Sequence, residues 1–189
     1  GRLLFADTFP GPESVAESVL EENPRQRDIA MYLVDPHIVL NCEPQRIFLD
    51  PSNTYRLELD QCPEPRRPMS GFEIRPLQHK EELDEINRIY TTLGMVPLDE
   101  EFVWQNRGCP WFTYAVARQS ETNAILGVAM GVDHKACGEG MPQLCSVWAV
   151  GVDPQAGLPG VGEFLVRYFI DHYKNLGRTQ MDVSVVHDN

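Results

Sequence analysis

The sequence lacks three features that would place it in a well-defined class of protein. No apolar run approaches the roughly 20 residues that cross a bilayer, and no basic stretch precedes an apolar one at the amino terminus. The five cysteines are odd in number and contain no CxxC pair, so neither a closed disulfide framework nor a zinc site is indicated. We therefore expect a cytoplasmic protein that holds no metal and does not enter a membrane.

Positive charge is also scarce. Sixteen Lys and Arg residues stand against 28 Asp and Glu, which gives a formal net charge of −12. Phosphate backbones and acidic lipid surfaces would be repelled, so neither nucleic acid nor a membrane is an expected partner. A small cationic or zwitterionic amine suits this charge better. The chain has 189 residues, 42% of them hydrophobic and 23% charged, which is the composition of a packed protein.

A proline-rich stretch divides the chain. Residues 63–70 contain three prolines, which disfavour both helix and central strand, and we expect a linker there. Residues 1–62 are expected to form a small α+β subdomain with a helix at 12–22 and two β-rich hairpins at 28–41 and 46–59. Three roles remain open for this subdomain: gating of substrate, a degenerate second copy of the fold that follows, or docking of a further domain.

Residues 71–189 alternate between strand and helix patterns. The order is strand, two helices, three strands, helix, strand, because apolar residues recur first at a spacing of two and then at helical spacing. The predicted strands are 72–77, 111–119, 124–133, 144–153 and 180–186, and the predicted helices are 80–94, 99–106 and 162–177.

The most informative segment is a glycine-rich loop, GLPGVG at 157–162, between a strand and a helix. Such a loop exposes backbone N–H groups and the positive end of the helix dipole, which together suit a phosphate. The alternative is a tight turn that binds nothing. No GxGxxG occurs and no Lys-Ser or Lys-Thr follows the loop, which excludes the Rossmann and P-loop patterns.

The element order and this loop together resemble the GCN5-related N-acetyltransferase (GNAT) superfamily. Its motif reads roughly V-x-P, then Arg or Gln-x-x-Gly-x-Gly or Ala, then a helix; here Val152 and Pro154 are followed by the loop, with Gly157 where the motif has Arg or Gln. Pro159 also lacks one N–H of the loop. The run VSVVHDN at 183–189 resembles the fifth strand of the family. The resemblance covers 71–189 and implies an α/β GNAT acyl-CoA N-acyltransferase fold with a mixed sheet, truncated before its last helix.

The resemblance also implies acetyl-CoA as cofactor, lying between the fourth and fifth strands. Pantetheine would pair with the fourth strand, the pyrophosphate would bind the loop amides, and a backbone amide near Ala149 would donate to the oxyanion. The family's usual acid for the leaving thiolate, a Tyr, would lie beyond Asn189. The residues implied in cofactor binding are Trp148, Ala149, Val150, Val152, Gly157, Leu158, Gly160, Val161, Gly162 and Asn189.

The base that accepts the amine proton is sought on a neighbouring strand, because 144–150 contains no carboxylate. Asp133 and His134 end that strand, and histidine is suited to proton removal near neutral pH. The alternative for the pair is a solvated turn. Two roles are considered for Cys145: an acyl-accepting nucleophile and a buried apolar residue. The second is favoured, because no partner histidine has a defined position.

A closer resemblance concerns the acceptor. The phrases RDIAMYLVDPHIVL, IFLDPSNTYRLEL, VDPQAGLPGVGEFLVRYF and MDVSVVHDN resemble the leading part of bacterial N-acetylglutaminylglutamine synthetases. In that family a C-terminal ATP-grasp domain follows, and the product is an osmoprotectant. The resemblance implies acetylation of the α-amino group of glutamine or glutaminylglutamine. Alternatives are a GNAT enzyme acting on a protein amine or polyamine, and a catalytically degenerate acyl-CoA-binding module. A homodimer is compatible with the sequence.

Overall fold

The computed structural model describes residues 2–24, 26–64, 68–138 and 142–186, and of Val186 only the backbone. Two compact units divide the chain between Ser52 and Asn53. Within the described ranges, no helix has the length and apolar character needed to cross a membrane.

The smaller unit combines two short helices with two short strands. Each helix has a proline in its first turn, where the missing N–H has no partner to lose. The strands pair in parallel, and Val15, Ala16 and Val39 form the buried core of the unit. Its elements are β1 (Leu3–Phe5), α1 (Pro12–Leu20), β2 (Ile29–Met31) and α2 (Pro36–Cys42).

Both expected hairpins are wrong. In the first, the run that follows Asp35 is helix α2, because Pro36 fits the first position of a helix as well as it fits a turn. In the second, residues 47–51 have no regular structure and a single strand, β3 (Ser52–Glu58), follows them. Apolar runs this short do not distinguish helix from strand by periodicity alone.

The larger unit has one mixed sheet of six strands in the order β3-β8-β7-β6-β5-β4. Neighbours from β4 to β7 are antiparallel, whereas β7 and β8 are parallel. The predicted element order and the mixed α/β fold class are confirmed. Besides β3, its elements are β4 (Phe72–Pro76), α3 (Glu82–Thr92), α4 (Glu100–Asn106), β5 (Phe112–Gln119), β6 (Ile125–Asp133), β7 (Leu144–Val152), α5 (Val161–Asn175) and β8 (Gln180–Val186).

The edge strand β3 comes from the segment expected to belong to the amino-terminal subdomain. The hydroxyls of Thr54 and Ser184 are 2.8 Å apart, and Arg56 donates to both carboxylate oxygens of Asp182 at 2.7 and 2.8 Å. As the residue number increases along β3, the number of the paired residue on β8 decreases, so the two strands are antiparallel. The two compact units divide between Ser52, the first residue of β3, and Asn53, so most of β3 belongs to the larger unit. Residues 65–67 of the expected linker lie outside the described residues.

The two faces of the sheet carry separate layers of core, as alternate residues of β5 show. Ala115 and Ala117 pack with α5, whereas Tyr114 and Val116 pack with α3 and α4. Strand β6 is buried along nearly its whole length, as a central strand covered on both faces should be. The neighbouring strand β7 is therefore supported by packed helices on both sides.

Candidate functional site

Among the described residues, strands β7 and β8 are paired over the first part of β7. Register partners run from Leu144 and Gln180 to Val147 and Val183. Beyond Val147, β7 continues beside β6, and it has no further register partner in the described part of β8. Because strand edges present N–H and C=O groups, this stretch of β7 offers backbone hydrogen bonds to an extended ligand.

A β-bulge in the pairing of β6 with β7 lies just beyond the point where β7 separates from β8. Met130 on β6 faces Trp148, and Val128 faces Gly151. Between these pairs β6 has one residue and β7 has two, Ala149 and Val150. Ala149 has a φ of +50°, which is uncommon for any residue other than glycine. Bulges redirect backbone groups and are over-represented beside active sites.

The turn after β7 is fixed by Asp153. Its backbone N–H donates to the Leu126 carbonyl at 2.8 Å, and its carboxylate accepts from the Gln155 amide at 2.8 Å. The same carboxylate accepts from Nη2 of Arg88, in α3, at 2.5 Å. The Arg88 guanidinium, and after it the Gln155 amide, lowers the pKa of Asp153 below its ordinary value. At neutral pH the turn is therefore tethered to α3 by an ion pair.

The glycine-rich loop then leads into the start of α5. Gly157 and Gly160 have φ values of +64° and +91°, in the left-handed region that glycine adopts without strain. Gly160 is the N-cap, and its carbonyl accepts the first intrahelical hydrogen bond, from the Phe164 amide at 3.0 Å. The loop conformation thus depends on glycine at the point where the helix begins.

The first turn of α5 fits a phosphate group. The N–H groups of Val161, Gly162 and Glu163 precede the first intrahelical donor, so the helix supplies no acceptor for them. The Glu163 carboxylate accepts from Arg167 at 2.9 Å, which offsets the negative charge nearest to these amides. A Cβ at Gly157 would have the Gln155 carbonyl oxygen, at 3.9 Å, as its one neighbour within 4 Å, so there is space beside this residue. These residues fit the diphosphate of coenzyme A.

The structure brings the described residues of the expected cofactor site together on consecutive elements. Trp148, Ala149, Val150 and Val152 lie on the stretch of β7 beyond its pairing with β8, and the loop follows directly. Leu158 packs inward against the core, and its Cδ1 would lie 3.4 Å from a Cβ at Gly71. Asn189 lies outside the described residues. Contact of these residues with a cofactor stays a prediction.

Asp133 and His134 belong to a buried polar cluster near the start of β7. Both carboxylate oxygens of Asp133 accept from Arg178, each at 2.8 Å. Nε2 of His134 lies 2.8 Å from Oγ of Ser146, which also accepts from the Trp148 indole N–H at 2.6 Å. Asp133 therefore has a structural partner for each oxygen, while His134 connects through Ser146 to the residue where β7 and β8 separate. Their catalytic role stays a prediction.

Cys145 points into the core layer under α5. Burial raises the pKa of its thiol to about 12, and the thiol donates to the Gln180 carbonyl at 3.3 Å. A neutral buried thiol is a poor nucleophile, which favours the apolar role.

Three residues of the site were missed by the sequence patterns: Arg88, Tyr90 and Ser146. The helical spacing of α3 indicated only which residues pack in the core. Arg88 donates to Asp153, which lies 65 residues away in sequence, and the Tyr90 hydroxyl donates to the carbonyl oxygen of Ala149, which lies 59 residues away. No local signal reports a contact at that separation.

Solved structures share this fold. An acetyltransferase of Trypanosoma brucei aligns with a TM-score of 0.52 and 17% identity, over 62% of this chain and 84% of its own. Glucosamine-6-phosphate N-acetyltransferase of Arabidopsis thaliana aligns at 0.51 and 18%, over 62% and 84%. An aminoglycoside acetyltransferase from an uncultured soil metagenomic sample, in complex with trehalose, aligns at 0.51 and 18%, over 63% and 80%.

No protein-family model and no curated protein matches the sequence. At identities this low, the structural likeness shows the fold alone. The chain has the fold of GNAT acetyltransferases, which confirms the fold expected from the glycine-rich loop. The closer resemblance to N-acetylglutaminylglutamine synthetases stays a prediction.

Proposed function

We propose that the chain is an N-acetyltransferase that moves an acetyl group from acetyl-CoA to the amine of a small molecule. One observation carries the proposal: β7 leaves its parallel partner at a bulge, and the same strand leads into the open amides of α5. A backbone edge for pantetheine and a helix start for the diphosphate thus follow each other in the order in which these groups occur in coenzyme A. The acetyltransferase fold supports the same class of reaction.

The residues of the site divide the chemistry among them. Bound acetyl-CoA supplies the thioester carbon, to which the amine nitrogen bonds as the carbon–sulfur bond breaks. The first-turn amides of α5 hold the diphosphate, and the edge of β7 orients the pantetheine. A backbone amide of the Ala149–Val150 bulge donates to the thioester oxygen as it gains negative charge. The amine loses one proton, and the leaving thiolate takes one up.

We assign to His134 the role of the base that accepts the proton of the amine. Its Nε2 bonds with Ser146, and Ser146 accepts from Trp148, which begins the separated stretch of β7. We expect the His134→Gln variant, which keeps a polar group near Ser146, to lose about 100-fold or more in kcat and to bind acetyl-CoA as before. The variant His79→Gln, at an exposed position, is the matched control. An unchanged kcat in His134→Gln would remove His134 from the mechanism.

For the acceptor we propose the α-amino group of glutamine or glutaminylglutamine, in the synthesis of an osmoprotectant. The support is the sequence resemblance and the net charge of −12, which favours a zwitterionic or cationic amine over an anionic one. A C-terminal ATP-grasp domain, as a partner in a longer protein, belongs to the same proposal. A protein amine or a polyamine is the alternative acceptor.

A second candidate is an acyl-CoA-binding module without turnover. The observation that favours it is Pro159, which removes one N–H from the loop, together with Gly157 at a position where the family motif has Arg or Gln. Turnover distinguishes the two candidates.

The first experiment is calorimetric titration of the chain with acetyl-CoA, with desulfo-CoA and ADP as controls for the thiol and the nucleotide. We expect saturable binding of acetyl-CoA. Thiol release is then measured with glutamine, glutaminylglutamine, spermidine and a peptide with a free amino terminus. Release that depends on glutamine or its dipeptide supports the proposed acceptor, and release with spermidine or the peptide alone moves the assignment to that amine. Binding without release supports the binding module, and no binding at millimolar acetyl-CoA overturns both candidates.

A further inference from the structure

Tyr90 of α3 reaches the bulge of β7 directly. The residue is 1% exposed, and its hydroxyl donates to the Ala149 carbonyl oxygen at 2.8 Å. Its ring lies against Gly151, where a Cβ would come within 3.0 Å of Cε1. Glycine at 151 therefore lets the ring approach the strand closely enough for the hydroxyl to reach the bulge.

The hydroxyl of Tyr90 is protonated and available as a donor at neutral pH. Burial, and after it the neighbouring Tyr114, raises the pKa of Tyr90 well above its ordinary value. The phenol is thus neutral, and the carbonyl of Ala149 can only accept. Tyr90 is therefore the donor in this hydrogen bond, and Ala149 is the acceptor.

This bond fixes the orientation of one peptide group. In a planar trans peptide the C=O and the following N–H point in opposite directions. With the Ala149 carbonyl held by Tyr90, the N–H of Val150 must point away from Tyr90. Ala149 has the φ of +50°, a conformation that persists in a non-glycine residue only where surrounding contacts enforce it.

We propose that Tyr90 is a positioning residue for acyl transfer: by holding the Ala149 carbonyl, it aims the Val150 amide at the thioester oxygen. The inference rests on the proposed function. Tyr90 touches no reacting atom and acts through the peptide group between Ala149 and Val150. A donor of this kind is effective only when its direction is set before the charge develops, which is what a buried hydrogen bond to the same peptide provides.

The chain contains a matched control in Tyr114 on β5. Tyr90 and Tyr114 belong to the same core layer, and burial raises the pKa of Tyr114 to about 12. The Tyr114 hydroxyl has no hydrogen-bond partner among the residues that the structure describes. Removing either hydroxyl leaves the ring in place, so Tyr90→Phe and Tyr114→Phe differ chiefly in the bond to Ala149.

The kinetic test compares these two variants under saturating acceptor. Loss of a whole oxyanion donor costs about 100-fold or more in kcat, so loss of its orientation by Tyr90→Phe is expected to cost about tenfold. The KM for acetyl-CoA should change by less than about twofold, because the diphosphate and pantetheine contacts remain. Tyr114→Phe should leave both constants within about twofold of the wild type. A wild-type kcat in Tyr90→Phe, or equal losses in both variants, overturns the inference.

A second test needs no turnover and uses the free protein. We expect the amide signals of Ala149 and Val150 in nitrogen-15 NMR to shift and to show microsecond-to-millisecond relaxation dispersion in Tyr90→Phe but not in Tyr114→Phe. Gly151→Ala, which displaces the ring and keeps the hydroxyl, should affect the same two amides. Unaltered bulge amides in Tyr90→Phe refute the positioning role. If the wild type binds acetyl-CoA without turnover, the proposed acetyl transfer fails, while these amides still decide whether Tyr90 orients the bulge.

Discussion

The two ends of β7 lie on one strand but are held by different groups. At the start, Ser146 is flanked by β6 and β8, and buried side chains bond with one another: Asp133 with Arg178, His134 with Ser146. At the end, β6 supplies the register partners of the strand among the described residues, and α3 contacts the backbone of the strand and the turn that follows. The start of β7 is held by hydrogen bonds between side chains, and the end of β7 exposes main-chain groups.

The difference explains why the site has a weak signature in sequence. A ligand that bound Asp133 would have to displace its hydrogen bonds from Arg178, at the full cost of leaving buried polar groups unpaired. A ligand at the end meets N–H and C=O groups that every residue type carries. Only positions with an unusual conformation, such as Gly160, then require a particular residue.

The largest expected effect is at the start of the strand. Asp133→Asn removes the charge that balances Arg178, whose side chain is 15% exposed, and leaves a largely buried guanidinium without its ion-pair partner. We expect the free energy of unfolding to fall by about 3 kcal/mol or more, measured by urea denaturation. Asp84→Asn, at an exposed position of α3, should change it by less than about 0.5 kcal/mol. Equal effects of the two substitutions would contradict a structural role for Asp133.

The next largest effect distinguishes Gly160, at the start of α5, from Gly177, just after its end. Gly160 has a φ of +91° and Gly177 a φ of +75°, so alanine should cost about 1–2 kcal/mol of stability at either position. Only Gly160→Ala is expected to weaken binding of acetyl-CoA, by about tenfold in calorimetry, because it strains the N-cap beside the first-turn amides. Similar affinities in the two variants would exclude this loop as the diphosphate site.

The smallest effect concerns the tether between the turn and α3, and it depends on pH. The pKa of Asp153 is lowered in the folded state by Arg88, so the ion pair stabilises the fold above the ordinary aspartate pKa of about 3.9 and is lost as the pH falls through the lower folded value. Asp153→Asn should therefore be less stable than the wild type by at most about 1 kcal/mol at pH 7.

This difference should shrink below about pH 4, followed by urea denaturation at a series of pH values. A difference between wild type and Asp153→Asn that grows as the pH falls would contradict the lowered pKa.

Much of the larger unit could be predicted because its periodicities extend over many residues. The helix at 80–94 was indicated by apolar residues at helical spacing, and four of them, Leu83, Ile86, Ile89 and Tyr90, are buried in α3. The strands from Phe112 to Val152 were indicated by long apolar runs. The runs in residues 28–59 are shorter, and there helix α2 was mistaken for strand.

The site was also predicted in part. The features that were predicted require a particular residue type at a given position, and those that were missed depend on how the strands are paired. The glycine-rich loop was found because left-handed backbone demands glycine, so Gly157 and Gly160 are visible in the sequence. The bulge at Ala149 was not, because nothing in that residue type indicates a positive φ. His134 was selected for its chemistry, but its bond with Ser146 depends on how β6 and β7 are paired.

The sequence by itself determined the order of the elements, the helix start that suits a diphosphate and the surplus of negative charge, because these depend on local spacing and composition. Tertiary structure alone decided that β3 joins the main sheet, that β7 separates from β8 after Val147, and that Arg88 and Tyr90 bind the turn and the bulge. These features depend on strand register and on contacts between residues far apart in the chain. They are set by which surfaces pack together, and no stretch of sequence encodes them locally.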